Sequence, residues 1–331
     1  MSDTAEFDAP GTRVRDEGEI VAAVLASLGR AVVGQRQMLE RLLIGLVSDG
    51  HMLLEGVPGL AKTLAIKTLA ETVSCRVQRV QFTPDLLPSD LVGTMIYNQR
   101  VGDFTVQKGP IFANIVIADE INRAPAKVQS ALLEAMQEKQ VTIGGATYAL
   151  EEPFLVLATQ NPLEQEGTYP LPEAQVDRFM MKLLITYPSR ADESEMLDRA
   201  SVRGVQPIGA IVDSTWVLRA REAVDAIYVD SRVREYALDI VRATRDPAAL
   251  GLKDLAPLID YGASPRASIA LVRAAKGHAF LEGRGYVTPA DIKSIGPDVL
   301  RHRLILTYEA DAENVTADQV LARILDVAAV P

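Results

Sequence analysis

The sequence predicts an α/β fold, a parallel sheet with helices on both faces, followed by a smaller all-helical domain. Three observations predict it. Short unbroken apolar runs such as Ile115-Val116-Ile117-Ala118 end in polar residues, as strands buried on both faces do. These runs alternate with helical patterns, which implies a doubly wound sheet. After Tyr187-Pro188 the texture changes to amphipathic helices with little strand. The length of 331 residues fits two domains. We expect a flexible leader over 1–18, an α/β domain over 19–188 and a helical domain over 189–331.

Taken in order, residues 1–18 are polar and carry Pro10, Gly11 and Gly18, hence the leader. Ile20, Val21, Val24, Leu25 and Leu28 then fall at helical spacing, and Val32 to Gln35 breaks the pattern. Met38, Leu39, Leu42, Leu43 and Leu46 mark a second helix, ended by Asp49-Gly50. His51 to Glu55 is a strand, Leu64 to about Ser74 a helix and Val77 to Phe82 a second strand. Pro84 and Pro88 interrupt regular structure. Two β-like runs flanking Asn98 to Gly102 predict a hairpin insertion near 84–107. Ile115 to Ala118 is a buried strand, and Pro125 suits the first turn of a helix running to about Glu138. Gly144-Gly145 predicts a second hairpin over 141–149. Phe154 to Thr159 is another buried strand, Glu173 to Arg178 a short helix and Met181 to Thr186 a last strand. In the second domain, Thr288-Pro289 is a helix start, with Thr as N-cap and Pro at the first helical position.

Between the first strand and its helix stands Gly56-Val57-Pro58-Gly59-Leu60-Ala61-Lys62-Thr63. Strand, glycine-rich turn, Lys-Thr and helix form the context of a phosphate-binding loop. Its backbone N–H groups cradle an anion, and the following helix adds its positive end. Lys62 reaches the β- and γ-phosphates, and Thr63 offers its hydroxyl to Mg2+. Ala61 replaces the motif's second glycine; its methyl is accommodated if φ stays negative, as a helix start allows. Asp119-Glu120 ends a buried strand downstream. With such a loop, Asp119 holds the Mg2+ hydration shell and Glu120 polarises the attacking water. A lone Asp-Glu pair is only a solvated strand end; the spacing from the loop changes that. Asn161 ends the next buried strand, where ligands of parallel sheets gather. Arg178 and Arg266, each an ordinary surface charge alone, become candidates for the positive charge that phosphoryl transfer needs.

With these motifs the chain resembles the MoxR family of AAA+ ATPases. The carrying segments are GVPGLAKT (56–63), QFTPDLLPSDLVGT (81–94), KGPIFANIVIADEINRAPAKVQSALLEAMQE (108–138), LATQNPLEQEGTYPLPEAQVDRF (157–179) and SPRAS (264–268). The family's loop also carries Ala before the Lys. The resemblance implies an AAA+ core with a helical lid, ATP and Mg2+ as ligands, and ATP hydrolysis. It assigns Lys62 and Thr63 to Walker A, with the nucleotide contact running from Gly56 through Leu64. Asp119 and Glu120 become Walker B, Asn161 sensor 1, Arg178 the arginine finger and Arg266 sensor 2. Val33, Gly34 and Gln35 line the adenine pocket. Arg123 is a second candidate for a trans contact, ranked below Arg178. The two hairpin insertions would face a central pore. A hexameric homo-oligomeric ring is implied. So is a chaperone role on a protein client, in maturation, complex assembly or metal insertion, alongside a separate protein bearing a von Willebrand factor A domain.

Composition narrows the classes. The net charge of −10 argues against nucleic acid as the main ligand. Cys75 is the only cysteine, which excludes an internal disulfide framework. No run reaches the roughly 18 apolar residues of a membrane span, and no signal peptide opens the sequence, so a cytoplasmic protein is expected. His51, His278 and His302 lack metal-ligand spacing. Trp216 reads as core, and the acidic helix 192–198 as a solvated face. The alternative function is a DNA-transaction or chelatase-type motor, from the same insertion clade. A slow nucleotide-dependent switch is a third reading, opposed by Glu120, Asn161 and Arg178.

Overall fold

The computed structural model describes residues 8–57, 59–100, 102–162, 167–201 and 209–331. In order come α1 (Asp8–Ala31), α2 (Arg36–Val47), β1 (Met52–Glu55), α3 (Lys62–Thr72), β2 (Val77–Gln81), α4 (Pro88–Val92), β3 (Gly93–Asn98), β4 (Asp103–Lys108) and β5 (Ile115–Asp119). A 3-10 turn (Ile121–Arg123) leads to α5 (Ala126–Glu138), β6 (Gln140–Ile143), β7 (Ala146–Ala149), β8 (Leu155–Gln160), α6 (Glu173–Val176), β9 (Met181–Leu184), α7 (Arg190–Ser201) and α8 (Ser214–Asp225). Then follow α9 (Ser231–Ala243), β10 (Ile259–Tyr261), α10 (Pro265–Leu281), α11 (Pro289–Leu300), β11 (Ile305–Leu306), α12 (Tyr308–Ala312) and α13 (Ala317–Val327).

The chain divides into two compact units. The first spans Ala23–Arg178 and Leu183–Leu218; the second gathers the described residues up to Ala22, Phe179–Lys182 and Arg219–Pro331. The first is built on a five-stranded sheet in the order β2-β5-β8-β1-β9. β1, β5 and β8 are the apolar runs, and they are buried throughout except at their last residue. They pair in parallel, so all their carboxyl ends emerge at one edge of the sheet. β2 continues the parallel set, with Gln81 opposite Asp119. α2 covers the sheet with the predicted stripe, Met38, Leu39, Leu42, Leu43 and Leu46 all being buried.

Two hairpins stand out from this unit's strand order. β3 and β4 pair from Gly93–Lys108 to Asn98–Asp103. β6 and β7 turn on Gly144 and Gly145, both at positive φ. Met95 of the first hairpin lies against Gly144 of the second.

The second unit packs α9, α10, α11 and α13 on buried faces that include Tyr236, Leu271, Phe280, Val299 and Leu321. It is not wholly helical: β10 and β11 pair antiparallel, Ile259 with Leu306.

Two sequence expectations are corrected. Residues 8–18, read as leader, belong to α1; residues 1–7 lie outside the described set. The apolar stripe extends back to Val14, which is buried together with Val21, Val24 and Leu28, and Pro10 sits in the first turn, where its missing N–H costs nothing. The division between units also falls at Arg219, not 189. Arg199 of α7 donates to the Arg30 carbonyl, and the backbone N–H groups of Ile211 and Val212 donate to the Thr72 carbonyl. These bonds tie 190–218 to the sheet unit. Conversely, Arg303 donates to the Phe179 and Met180 carbonyls and takes that short stretch into the second unit. Among the described residues no helix is long and apolar enough to cross a membrane.

Candidate nucleotide site

Leaving β1, the chain turns sharply. A Cβ on Gly56 would stand 2.7 Å from the Ile185 carbonyl oxygen, so this approach of two backbones requires glycine. Pro58 lies outside the described residues. Gly59 has φ +87° and Ala61 φ +57°. The negative φ expected at Ala61 is therefore wrong. Ala61 caps α3 from outside and is not part of its first turn. Left-handed residues on either side of Leu60 give a turn of the kind from which anion nests are built. The alanine pays a penalty of about 1–2 kcal/mol for that conformation.

Lys62 opens α3, and its Nζ donates to the Gly56 carbonyl at 2.5 Å, folding back over the turn. Burial pulls its pKa down, while the charges of Asp119, Glu120 and Glu55 oppose that shift. One ammonium and three carboxylates thus share a single field. Thr63 follows, half-buried, and Leu64 is exposed.

Asp119 and Glu120 are held by different partners. Asp119 Oδ1 accepts the Thr159 hydroxyl at 2.5 Å. Its Oδ2 accepts Arg79 Nε at 3.0 Å and a terminal nitrogen of the same guanidinium. Glu120 Oε2 accepts Gln81 Nε2 at 2.7 Å and an Arg123 nitrogen at 3.0 Å. The Glu120 N–H donates to Thr159 Oγ1 at 3.0 Å, so one hydroxyl bridges both acids. Glu120 itself sits at φ +56°, a strained conformation of the kind that concentrates at functional positions.

Asn161 is buried just beyond β8, next to the β5 end. Gln35 Nε2, between α1 and α2, donates to the Thr186 carbonyl at 3.1 Å. Beside it Gly34 is left-handed, and a Cβ there would fall 2.4 Å from the Asp192 carboxyl carbon. Asp192 also caps α7 by accepting from the Ser189 N–H, so this end of the acidic helix is not simply solvated. Val33, Gly34 and Gln35 therefore lie beside the start of α7.

Lys62, Asp119, Glu120 and Asn161 are thus brought to one edge. Arg178 is exposed and donates to the Leu133 carbonyl of α5 at 3.0 Å. Arg123 pairs with Glu120 of its own chain. Arg266, in the second unit, is the second residue of α10, and its N–H is capped by the Ser264 hydroxyl. Sequence reasoning missed Arg79, Gln81 and Thr159. The only sign of the first two was the polar spacing of two on one face of a strand. Among the described residues no group of three or more His, Cys, Asp or Glu is placed to hold a metal. A Mg2+ site of one carboxylate and one hydroxyl needs no such group, because the ion keeps its waters and takes phosphate oxygens. His51 bridges Met136 and Val156 backbones, and His302 is a packing residue on the Phe179 carbonyl.

The model of the ATPase family associated with various cellular activities (AAA) matches residues 51–181, and that of the AAA lid domain matches residues 253–324. Chaperone MoxR1 of Mycobacterium tuberculosis is 50% identical over 304 residues, 91% of this chain and 80% of that protein. The chain belongs to the MoxR family of AAA+ ATPases. Protein MoxR of Methylorubrum extorquens is 30% identical over 324 residues, covering 89% of this chain and 91% of its own. A crystal structure of a candidate ATPase from Cytophaga hutchinsonii superposes with a TM-score of 0.91 at 52% identity, over 98% of each chain. This MoxR-family protein is an ATPase. The turn at 56–61, Lys62, Asp119, Glu120, Asn161 and Arg178 fall within the AAA match, and Arg266 within the lid match.

Proposed function

We propose that this ATPase is a chaperone that remodels or matures a protein partner, with ATP bound between the subunits of a hexameric ring. The observation that carries the reading is the convergence of Lys62, Asp119 and Glu120 at one sheet edge, behind a left-handed turn. A relative named as a chaperone supports the wider role. In this reading Lys62 and the turn from Gly56 to Leu64 hold the phosphates, and Val33, Gly34 and Gln35 border the adenine. Thr63 and Asp119 would hold Mg2+, which supplies charge against the phosphate oxygens. Glu120 takes the proton of the attacking water, and Asn161 orients that water. Arg266 senses the γ-phosphate in cis, and Arg178 reaches the nucleotide of the next subunit. Arg178 is exposed, as a residue that reaches a neighbouring subunit must be.

The net charge of −10 favours a protein client over a nucleic acid. A separate protein with a von Willebrand factor A domain acts beside it, in complex assembly or metal insertion, and the setting is cytoplasmic. The test is ATPase rate against protein concentration, with mass photometry on the same samples. We expect the rate per subunit to rise steeply as hexamers form. A flat rate from monomers overturns the ring.

A further inference from the structure

We infer that Arg79 is a built-in counter-ion that Asp119 exchanges for Mg2+, so that this arginine sets the Mg2+ concentration at which nucleotide binds. The inference rests on the reading of Asp119 as the Mg2+ carboxylate.

Arg79 lies on the edge strand β2, opposite Ile117, two residues before the Gln81–Asp119 pair. Residues two apart on a strand share a face. The long side chain therefore runs along β2 and delivers both Nε and a terminal nitrogen to Asp119 Oδ2. The other carboxylate oxygen is already committed to the Thr159 hydroxyl. Both oxygens of Asp119 are thus occupied from within the chain, and its side chain is only 13% exposed. A divalent ion approaching Oδ2 meets a guanidinium that cannot lose its charge.

Arg79 itself is 55% exposed on its side chain. It can swing into water without burying its own charge, and the buried Asp119 carboxylate stays paired only if a cation takes the place of the guanidinium, so the two events are coupled. The pair also reaches the second acid. Arg79 donates to Gln81 Oε1 at 3.3 Å, and Gln81 Nε2 holds Glu120. A plain edge-strand charge, of the kind that blunts sheet edges, points into water, whereas Arg79 places two nitrogens on the carboxylate read as the Mg2+ ligand.

The test uses the full chain and a fluorescent, non-hydrolysable ATP analogue. Binding is followed while Mg2+ is titrated, for wild type, Arg79→Met and Arg79→Lys, with circular dichroism melts alongside. Arg79→Met should lower the half-saturating Mg2+ concentration by about two- to five-fold, the range that half-exposed ion pairs span. Arg79→Lys should stay near wild type. In EDTA the variants should bind the analogue alike, and added salt should shrink the Met effect. If the Met variant is unfolded, Arg79→Gln takes its place. An unchanged or raised half-saturation overturns the inference and leaves the nucleotide site standing. Wild type that fails to bind the analogue, or binds it without regard to Mg2+, overturns the site reading and the inference with it.

Discussion

Asp119 and Glu120 are neighbours in sequence, yet their partners separate their work. Asp119 is braced by Thr159 on one oxygen and by Arg79 on the other. Glu120 hangs on a strained φ, held by Gln81 and Arg123 on one oxygen, with its side chain a quarter exposed. Glu120→Gln should therefore still bind the ATP analogue but lose hydrolysis by at least about a hundred-fold, the lower range for a general base. Lys62→Ala should weaken analogue binding by at least about tenfold, through loss of charge-assisted bonds to phosphate. Titration and phosphate release separate the two. Equal loss of binding in both variants would deny Glu120 its role. The placing of Lys62 at a helix start and of Asp119, Glu120 and Asn161 at strand ends was legible because strand, turn and helix are written locally. Arg79, Gln81 and Thr159 were not, because they matter only through the register of β2 and β8 on β5. The handedness of Ala61 was also hidden: a motif gives residue types, not φ.

At the scale of elements, the buried strands and both hairpins were readable from runs of apolar residues and from Gly144-Gly145. The start of α1 was not, since one buried residue, Val14, outweighs a polar composition. The α11 start was legible as Thr288-Pro289, and the structure adds the reason it holds. Asp291 completes the capping box and is buried on α11 against His278 of α10. Burial by itself would raise its pKa. Hydrogen bonds from His278, Arg284 and Thr288 outweigh that and hold the carboxyl well below the usual range. A depressed carboxyl stabilises the fold at pH values above the unfolded pKa of about 4 and loses that contribution as pH falls below it. Asp291→Asn should cost about 3 kcal/mol at pH 7, as breaking one side of a buried ion pair does. The gap to wild type should narrow below about pH 4. Urea midpoints at pH 7 and in acid measure both; a gap independent of pH would remove the ion pair from the account.

For the whole molecule, a finger supplied by a neighbour demands a head-to-tail interface in which each subunit gives to one side and takes from the other. On the proposed ring, Lys62→Ala would keep the finger and lose the loop, and Arg178→Ala would do the reverse. Neither alone should hydrolyse ATP. Mixed in equal amounts and reassembled, they should recover about a quarter of the wild-type rate per subunit, the share of sites that random order around a ring completes. No recovery would return Arg178 to a role within its own chain. The sequence drew the border at 189, where the strands give way to helices, whereas the compact units divide at Arg219. Where a unit ends is decided by partners far away in sequence, here Arg199 on Arg30 and Arg303 on Phe179.

Gly34 has a bearing on how this chain can diverge. Two independent obstacles guard it: a left-handed backbone and the Asp192 side chain standing where a Cβ would go. Shortening Asp192 removes the second and leaves the first, which still costs about 1–2 kcal/mol. Ala61 bears the first obstacle alone and is tolerated. A side chain at position 34 would meet both at once, so it needs a change at Asp192 as well as the left-handed cost.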